Sequence, residues 1–309
     1  MQTFPVVRRL LLGIAAVWAV QVQAAECMGQ GIELQVLGSG GPEMQGKRAS
    51  SSYLIWRDGK ARVLVDSGGG SALRFGQAGA QMADLDIVLF THLHVDHSAD
   101  FPALVKSSYF EHRRRPLPVL GPPGSEAFPS IIDFVRGLFD EKHGIYRYLS
   151  DYLTGGESSY AIQPREIKLK PGELAEVFAD ADFKVMATPV THGRVPAVAW
   201  RVEIGGHALA FSGDTSGDGA LAKLAARTDI FVAHNAVPEG ATGIERKLHM
   251  PPSVIGEIAK AASVKKLVLS HRMLRTLGQE PRTLESIAKV YTGPTVFADD
   301  LDCFGLRGK

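Results

Sequence analysis

Cysteine is scarce in this 309-residue chain, which has only Cys27 and Cys303. Neither lies near the histidine-rich stretch at 92–97, so no thiolate ligand is on offer there, and two cysteines cannot make a multi-disulfide scaffold. Cys27 stands before the first expected strand and Cys303 on the last, read at 295–298. One bridge between them would tie the chain ends together in an oxidising compartment, and two free thiols are the alternative. Long apolar runs are missing too. The stretch from Leu10 to Val20 covers about eleven residues, where a membrane span needs about 20. Charge of one sign is also absent, the formal net charge being +1. No overall field draws nucleic acid or an anionic membrane, so neither a nucleic-acid partner nor stable membrane insertion is expected. The basic run Arg113-Arg114-Arg115 is read as a solvated loop before Pro116, with anion steering as the alternative. No serine or cysteine sits in a nucleophile motif, and Gly38-Ser39-Gly40-Gly41 lacks the lysine of a phosphate-cradling loop.

What is present begins with a processing segment. Arg8 and Arg9 precede the short apolar run, and Val22-Gln23-Ala24 offers small residues for cleavage. Residues 1–24 are therefore expected to be a signal peptide, and the mature chain to be periplasmic or secreted. Loss of the two arginines takes the net charge from +1 to −1, since the segment has no acidic residue. Residues 25–309 show no linker and no repeat, and 45% hydrophobic content is enough for one α/β core.

The most informative stretch is Thr91-His92-Leu93-His94-Val95-Asp96-His97, directly after the β-prone Asp86-Ile87-Val88-Leu89-Phe90. Imidazole and carboxylate are the donors that zinc and similar ions prefer. Four such residues so close in sequence cannot all close on one tetrahedral ion, which points to two neighbouring ions. Three further donors, His192, Asp214 and His271, each stand at the end of a short apolar run. Strand ends are where α/β sheets gather their binding sites, so these groups can converge on one crevice.

The H-x-H-x-D-H signature at 92–97, His192, Ser-Gly-Asp-Thr at 212–215 and Ser270-His271 together resemble the metallo-β-lactamase superfamily. The likeness runs from about Leu34 to the C-terminus, with Val36 to Pro42, Ser51 to Ile55 and Val63 to Gly68 matching the opening strands. It implies an αββα four-layer sandwich of two mixed sheets flanked by helices. It also implies one ion on His92, His94 and His192 and a second on Asp96, His97 and His271, with Asp214 bridging. Two zinc ions are expected, with manganese or iron as alternatives, and Asp96 has a catalytic role as well as a ligand role. In such a centre a bridging hydroxide attacks and the ions offset charge in the transition state. His249, before an apolar-periodic helix at 252–262, resembles the extra catalytic histidine of the ribonuclease Z and arylsulfatase-like branch. It is the candidate general acid, against a structural histidine at a helix start. That branch supports the histidine with an acidic residue, where this chain has Asn235 after His234, itself read as a supporting or core residue. The middle segment, Ser107 to Gln163, holds an expected helix around 126–140 and the aromatic-rich Ile145-Tyr146-Arg147-Tyr148. The resemblance makes it a substrate wall, and Phe134, Val135, Leu138 and Phe139 read as a helical layer.

No long protruding arm for gripping RNA is found, and together with the export signal this argues against tRNA processing. The expectation is an exported dinuclear zinc hydrolase of small sulfate or phosphate esters, arylsulfatase-like or phosphodiesterase-like. A lactone or amide hydrolase on the same ions is the runner-up, and a non-catalytic metal-binding protein the third reading. A small-molecule ester is the expected partner, and a homodimer stays open.

Overall fold

In the computed structural model the described residues are 27, 29–156, 160–217 and 219–306, so the expected signal peptide lies outside them. The first sheet takes its strands from β1 (Ile32–Gly38), β2 (Ser52–Arg57), β3 (Lys60–Val65), β4 (Ile87–Leu89), β5 (Leu117–Gly121) and β6 (Ile162–Glu166). The second is built from β7 (Ala175–Ala179), β8 (Phe183–His192), β9 (Val195–Ile204), β10 (His207–Phe211), β11 (Ile230–His234), β12 (Leu267–Ser270) and β13 (Thr295–Phe297). A last strand, β14 (Cys303–Leu306), returns to the first sheet beside β1. Each sheet has seven strands, and in each three antiparallel pairings give way to three parallel ones.

Alternation along the strands makes the layers. On β2 Tyr53 and Ile55 face the second sheet, while Leu54 and Trp56 face helices. On β3 Val63 and Val65 point inward and Leu64 outward. Both faces are covered, so these strands read as unbroken apolar runs instead of alternating ones. Inside, they meet Val185, Trp200, Val202, Phe211 and Val232 of the second sheet. The outer face of the first sheet packs on α1 (Ser71–Gln77), α3 (Phe101–Ser107) and α4 (Ile131–Phe139), α2 (Val95–Ser98) being a single turn before α3. α5 (Asp151–Thr154) adds Tyr152 to the same layer. The outer face of the second sheet packs on α6 (Gly219–Leu224), α8 (Pro252–Ala261) and α9 (Glu280–Ala288), with α7 (Gly243–Leu248) leading into α8. The αββα sandwich is the architecture expected from the sequence. Among the described residues, no helix is long and apolar enough to cross a membrane.

Three local expectations need amendment. The helix expected around 126–140 is shorter. Ser130 and Asp133 form a reciprocal capping box that fixes its start at Ile131. Val135 and Phe139 are buried, with Phe134 and Leu138 partly so, as a covering layer requires. Arg113 is not solvated. It is buried, its guanidinium donating to the carbonyls of Met82 (3.0 Å) and Pro116 (2.7 Å) while lying over Tyr160. Arg115 pairs with Asp86. The two arginines fasten the approach to β5 onto the loop before β4, a job that desolvated guanidinium does with its fan of donors. Finally, the strand at 295–298 is not the last, because Cys303 opens β14. Cys27 and Cys303 are joined in a disulfide, with Cα atoms 5.3 Å apart and 276 positions between them. Closing so long a loop stabilises the fold by about 2–4 kcal/mol through the unfolded chain.

Candidate metal centre

The site lies where strands of both sheets end. β4 delivers Thr91 to His97, β8 ends on His192, β10 leads to Asp214, and β12 leads to His271. Backbone geometry is tight here. Gly68 passes so near the Asp96 carbonyl that a Cβ would stand 2.1 Å from its oxygen. Gly213 adopts φ +56° against Thr91, a conformation that aims the next residue, Asp214, into the centre. Asp66 and His271 also hold positive φ, 58° and 51°, which non-glycine residues adopt rarely and mostly at sites where structure overrides strain.

The expected side chains meet in two groups. In one, His92 Nε2 lies 3.0 Å from His94 Nδ1, and His192 Nε2 lies 3.4 Å from that same atom. Asp214 Oδ2 is 4.0 Å from His92 Nε2 and 3.7 Å from His192 Nε2. In the other, Asp96 Oδ2 is 3.6 Å from His97 Nε2 and 3.2 Å from His271 Nε2. Asp214 Oδ1 is 3.4 Å from His271 Nε2. Tetrahedral donors at about 2.0–2.1 Å from an ion stand about 3.3–3.4 Å apart, so both groups have the spacing of ligand sets. Asp214 faces both with its two oxygens. Among the described residues, three sets here are close enough to hold an ion: His92 with His94 and His192, His97 with Asp214, His271 and His234, and His192 with Asp214 and His249.

Orientation of the donors supports the same conclusion. His192 Nδ1 lies 2.9 Å from the Leu248 carbonyl, which turns Nε2 inward. His97 Nδ1 is 2.8 Å from Asp66 Oδ2, leaving its buried Nε2 without a hydrogen-bond partner and aimed at the centre. Asp66 is itself fully buried and accepts from the Thr91 backbone N–H and hydroxyl, both at 2.7 Å. His234 Nδ1 lies 2.8 Å from Asp214 Oδ1, and its Nε2 lies 2.9 Å from the Tyr53 hydroxyl, which is 2.9 Å from Ser270 Oγ. A carboxylate or carbonyl behind a ligand imidazole fixes its tautomer and raises its basicity. Asp66, Thr91 and Tyr53 support these side chains from behind, and the sequence does not single them out. The available signal for Asp66 is a lone carboxylate closing the apolar Val63-Leu64-Val65.

Electrostatics are dominated by burial. Burial pushes His92 far below its ordinary range, and neighbouring imidazoles add to that, which keeps the ring neutral. Burial also lowers His97, but Asp96, Asp66 and Asp214 outweigh it and lift the group to about 9. Asp214 resists ionisation through burial, yet His271, the His234 hydrogen bond and His97 hold it well below the usual carboxylate range. The pocket around His97 thus demands positive charge, from a proton or from a metal ion.

His249 stands in extended conformation at the exit of α7, three residues before α8 begins at Pro252 as expected. It is buried, with Nδ1 3.8 Å from Asp214 Oδ2 and its ring 5.4 Å from that of His192. Burial, only partly opposed by Asp214, pushes it down to about 4. Asn235 makes no side-chain hydrogen bond to His249 or to any described residue. The carboxylate facing His249 is Asp214, so the acidic relay residue of the expected branch has no counterpart here.

Comparison with known proteins supports the fold and corrects the substrate. The model of the metallo-beta-lactamase superfamily matches residues 46–278. Ribonuclease Z of Mycobacterium bovis (strain BCG / Pasteur 1173P2) is 28% identical over 284 residues, covering 87% of this chain and 96% of that protein. Ribonuclease Z of Mycobacterium sp. (strain KMS) is 30% identical over 286 residues, covering 87% and 94%. Among solved structures, the short form of human tRNase Z has TM-score 0.69 at 19% identity, covering 89% of this chain and 99% of that one. The metallo-beta-lactamase fold protein YhfI from Bacillus subtilis has TM-score 0.68 at 20% identity, covering 88% and 98%. At such identities the structures speak for the fold alone.

The expected hydrolase of small sulfate or phosphate esters, arylsulfatase-like or phosphodiesterase-like, is overturned by these relatives, and so is the absence of a nucleic-acid partner. The lactone, amide and non-catalytic alternatives fall with it. A missing arm does not exclude RNA. Proteins named Ribonuclease Z are covered here almost end to end, so chain length cannot separate the two classes. The chain belongs to the metallo-beta-lactamase superfamily, alongside relatives named Ribonuclease Z.

Proposed function

We propose that this protein is a metal-dependent hydrolase that cleaves phosphodiester bonds in RNA. The observation that carries this reading is the pair of His/Asp groups sharing Asp214, in a chain matching proteins named Ribonuclease Z over nearly their whole length. His92, His94 and His192 would hold one ion and Asp96, His97 and His271 the other, with Asp214 serving both; zinc is the first choice, manganese or iron the alternatives. When bound, two divalent ions supply Lewis acidity to a phosphoryl oxygen and make water a competent nucleophile near neutral pH. The protein's own part is orientation and proton handling. Leu248 and Asp66 turn His192 and His97 inward, and His234 with Tyr53 steadies Asp214. His249 faces Asp214 with an unpartnered nitrogen and is placed to pass a proton to a departing ribose oxygen once the negative charge of a bound phosphodiester raises it from the value of about 4 that burial sets.

The test uses the purified chain with its metals. A structured tRNA precursor and an unstructured oligoribonucleotide are offered beside aryl sulfate, lactone and cephalosporin substrates. RNA cleavage that a chelator abolishes and added zinc restores is the expected result. Turnover of one of the others with intact RNA would reject the reading.

Export is a separate proposal. It rests on residues 1–24, which lie outside the described residues, and is supported by the Cys27–Cys303 bond, since structural disulfides persist in oxidising compartments. N-terminal sequencing of the natural protein should find a start near residue 25, and a start at Met1 would refute cleavage.

A further inference from the structure

Two of the ligand histidines are fixed from behind by a hydrogen bond, His192 through the Leu248 carbonyl and His97 through Asp66. His271 is not. Its Nε2 faces Asp96 and Asp214, but its Nδ1 is buried with no hydrogen-bond partner among the described residues. Its backbone is also held at φ 51°, which the surrounding structure must maintain. What backs this ligand is packing. The ring stacks on His234 and His97, with ring centres 4.9 and 5.3 Å away. Its Cε1–Nδ1 edge meets Gly41, where a Cβ would stand 2.8 Å from Cε1 and 3.2 Å from Nδ1. Gly41 closes the glycine-rich turn Gly38-Ser39-Gly40-Gly41. The same turn grips the chain beside the ligand, since the Ser39 carbonyl accepts from the Arg272 N–H at 2.8 Å.

That turn is anchored by one carboxylate from the far end of the sequence. Asp300 Oδ1 accepts from the Ser39 N–H at 3.0 Å and from its hydroxyl at 2.9 Å. Its Oδ2 accepts from the Ala49 N–H at 2.8 Å and from Arg74 Nε at 3.1 Å. Ser39 is fully buried, and the Asp300 side chain is only 10% exposed. Ser39 and Ala49 lie on the two limbs of the connection between β1 and β2. The Gly40 N–H donates to the Ala49 carbonyl and Ser50 Oγ to the Gly41 carbonyl, both at 2.9 Å. One anion thus sets the spacing of both limbs, through bonds roughly twice as strong as neutral ones. Asp300 is itself well seated. The Leu301 N–H donates to the Val36 carbonyl at 2.6 Å, the Asp302 carbonyl accepts from the Val36 N–H at 2.9 Å, and the Cys27–Cys303 bond follows directly.

We propose that Asp300 is a positioning residue for the ion expected on Asp96, His97 and His271. By holding Ser39 to Ala49 it keeps Gly41 behind the His271 ring, where His97 and His192 have a hydrogen-bonding group instead. This rests on the reading of the donors as a two-ion centre.

The experiment follows the release of zinc from the metal-loaded full chain by graded chelator, with the thermal midpoint of each variant alongside. Asp96→Ala, which removes a donor from this group alone, identifies the step in which its ion leaves. Asp300→Ala and Gly41→Ala should each weaken that ion by roughly 10- to 100-fold, the range for disturbing a group behind a ligand. The ion on His92, His94 and His192 should be held as in the wild type. Ser39→Ala, which removes only the hydroxyl bond, should give a smaller loss of the same ion. Asp229→Ala is the matched comparison. Asp229 also braces backbone, accepting from the Ala208 N–H at 2.9 Å, but at the starting end of β10, away from the centre. Its loss should lower the thermal midpoint and leave both ions bound. Should Asp300→Ala fail to fold, Gly41→Ala decides the case, because it leaves the bonds of Asp300 in place. Two ions held by Asp300→Ala as tightly as by the wild type would make Asp300 a residue of the fold alone. That result overturns the proposal and leaves the two-ion reading standing. Equal weakening of both ions in Asp300→Ala also overturns it, as does an undisturbed ion in Gly41→Ala, since the turn then does not act through His271. A wild-type chain that holds fewer than two ions would remove the two-ion reading and this role together.

Discussion

Asp214→Ala is expected to empty the metal centre and bring hydrolysis down to the level of the chelated protein. No other described side chain is shared by both groups of donors, with one oxygen 3.4 Å from His271 and the other 3.7 Å from His192. Its loss removes a donor from each ion at once. It also leaves the buried imidazoles around it without their central anion, and breaking a buried ionic network from one side costs about 3–5 kcal/mol. The variant should therefore lose metal in a chelator competition and unfold earlier in urea. Asp66→Asn gives the graded contrast. Asp66 touches His97 and not the ions, so its amide should lower metal affinity by about 10- to 100-fold, the usual effect of disturbing a group behind a ligand. Asp66→Asn should regain most of its hydrolysis at high zinc, and Asp214→Ala should not. Two equivalents of tightly held metal in Asp214→Ala would show that the bridge is misassigned.

The candidate metal ligands are legible in the sequence because their chemistry is local. Four donors in six positions after an apolar run are hard to account for without metal, and single donors at later strand ends complete the set. The layers can be read for a similar reason: a strand buried on both faces must be apolar throughout, as in Val63 to Val65 and Ile87 to Leu89. Arg113 is not legible. Its partners, the carbonyls of Met82 and Leu85, lie about thirty positions back in the chain, and a run of three arginines carries no mark of which one is buried. Asp66 reads only as the end of a strand, since nothing local distinguishes a buried carboxylate behind a ligand from a turn residue. β14 is hidden because it is four residues long and follows an acidic turn at 299–302. The substrate is misread for another reason. A missing arm and an apolar leader point away from RNA, and neither touches the groups that do the chemistry. Exposure is equally hidden: sequence alone cannot separate the exposed rings at 109, 110 and 148 from the buried Tyr152 and Tyr160 nearby.

His249→Ala should separate proton transfer from metal holding. The imidazole lies 3.8 Å from Asp214 and packs 5.4 Å from the His192 ring and 5.8 Å from that of His271, close enough to belong to the site. Both donor groups are nevertheless complete without it, so the variant should keep its metal. RNA hydrolysis should fall by roughly 10²–10⁴-fold, the range for loss of a positioned general acid. A ribose oxygen is a poor leaving group and needs that proton as its bond to phosphorus breaks. A nitrophenolate departs without help, so for an RNA-like phosphodiester bearing that group the loss should shrink to about tenfold or less. Leaving-group dependence is the decisive reading. A uniform loss across both substrates would make His249 a positioning residue, and loss of metal along with activity would make it a ligand. In either case the proton must come from elsewhere, and Asn235, buried without a partner and unable to ionise, cannot supply it.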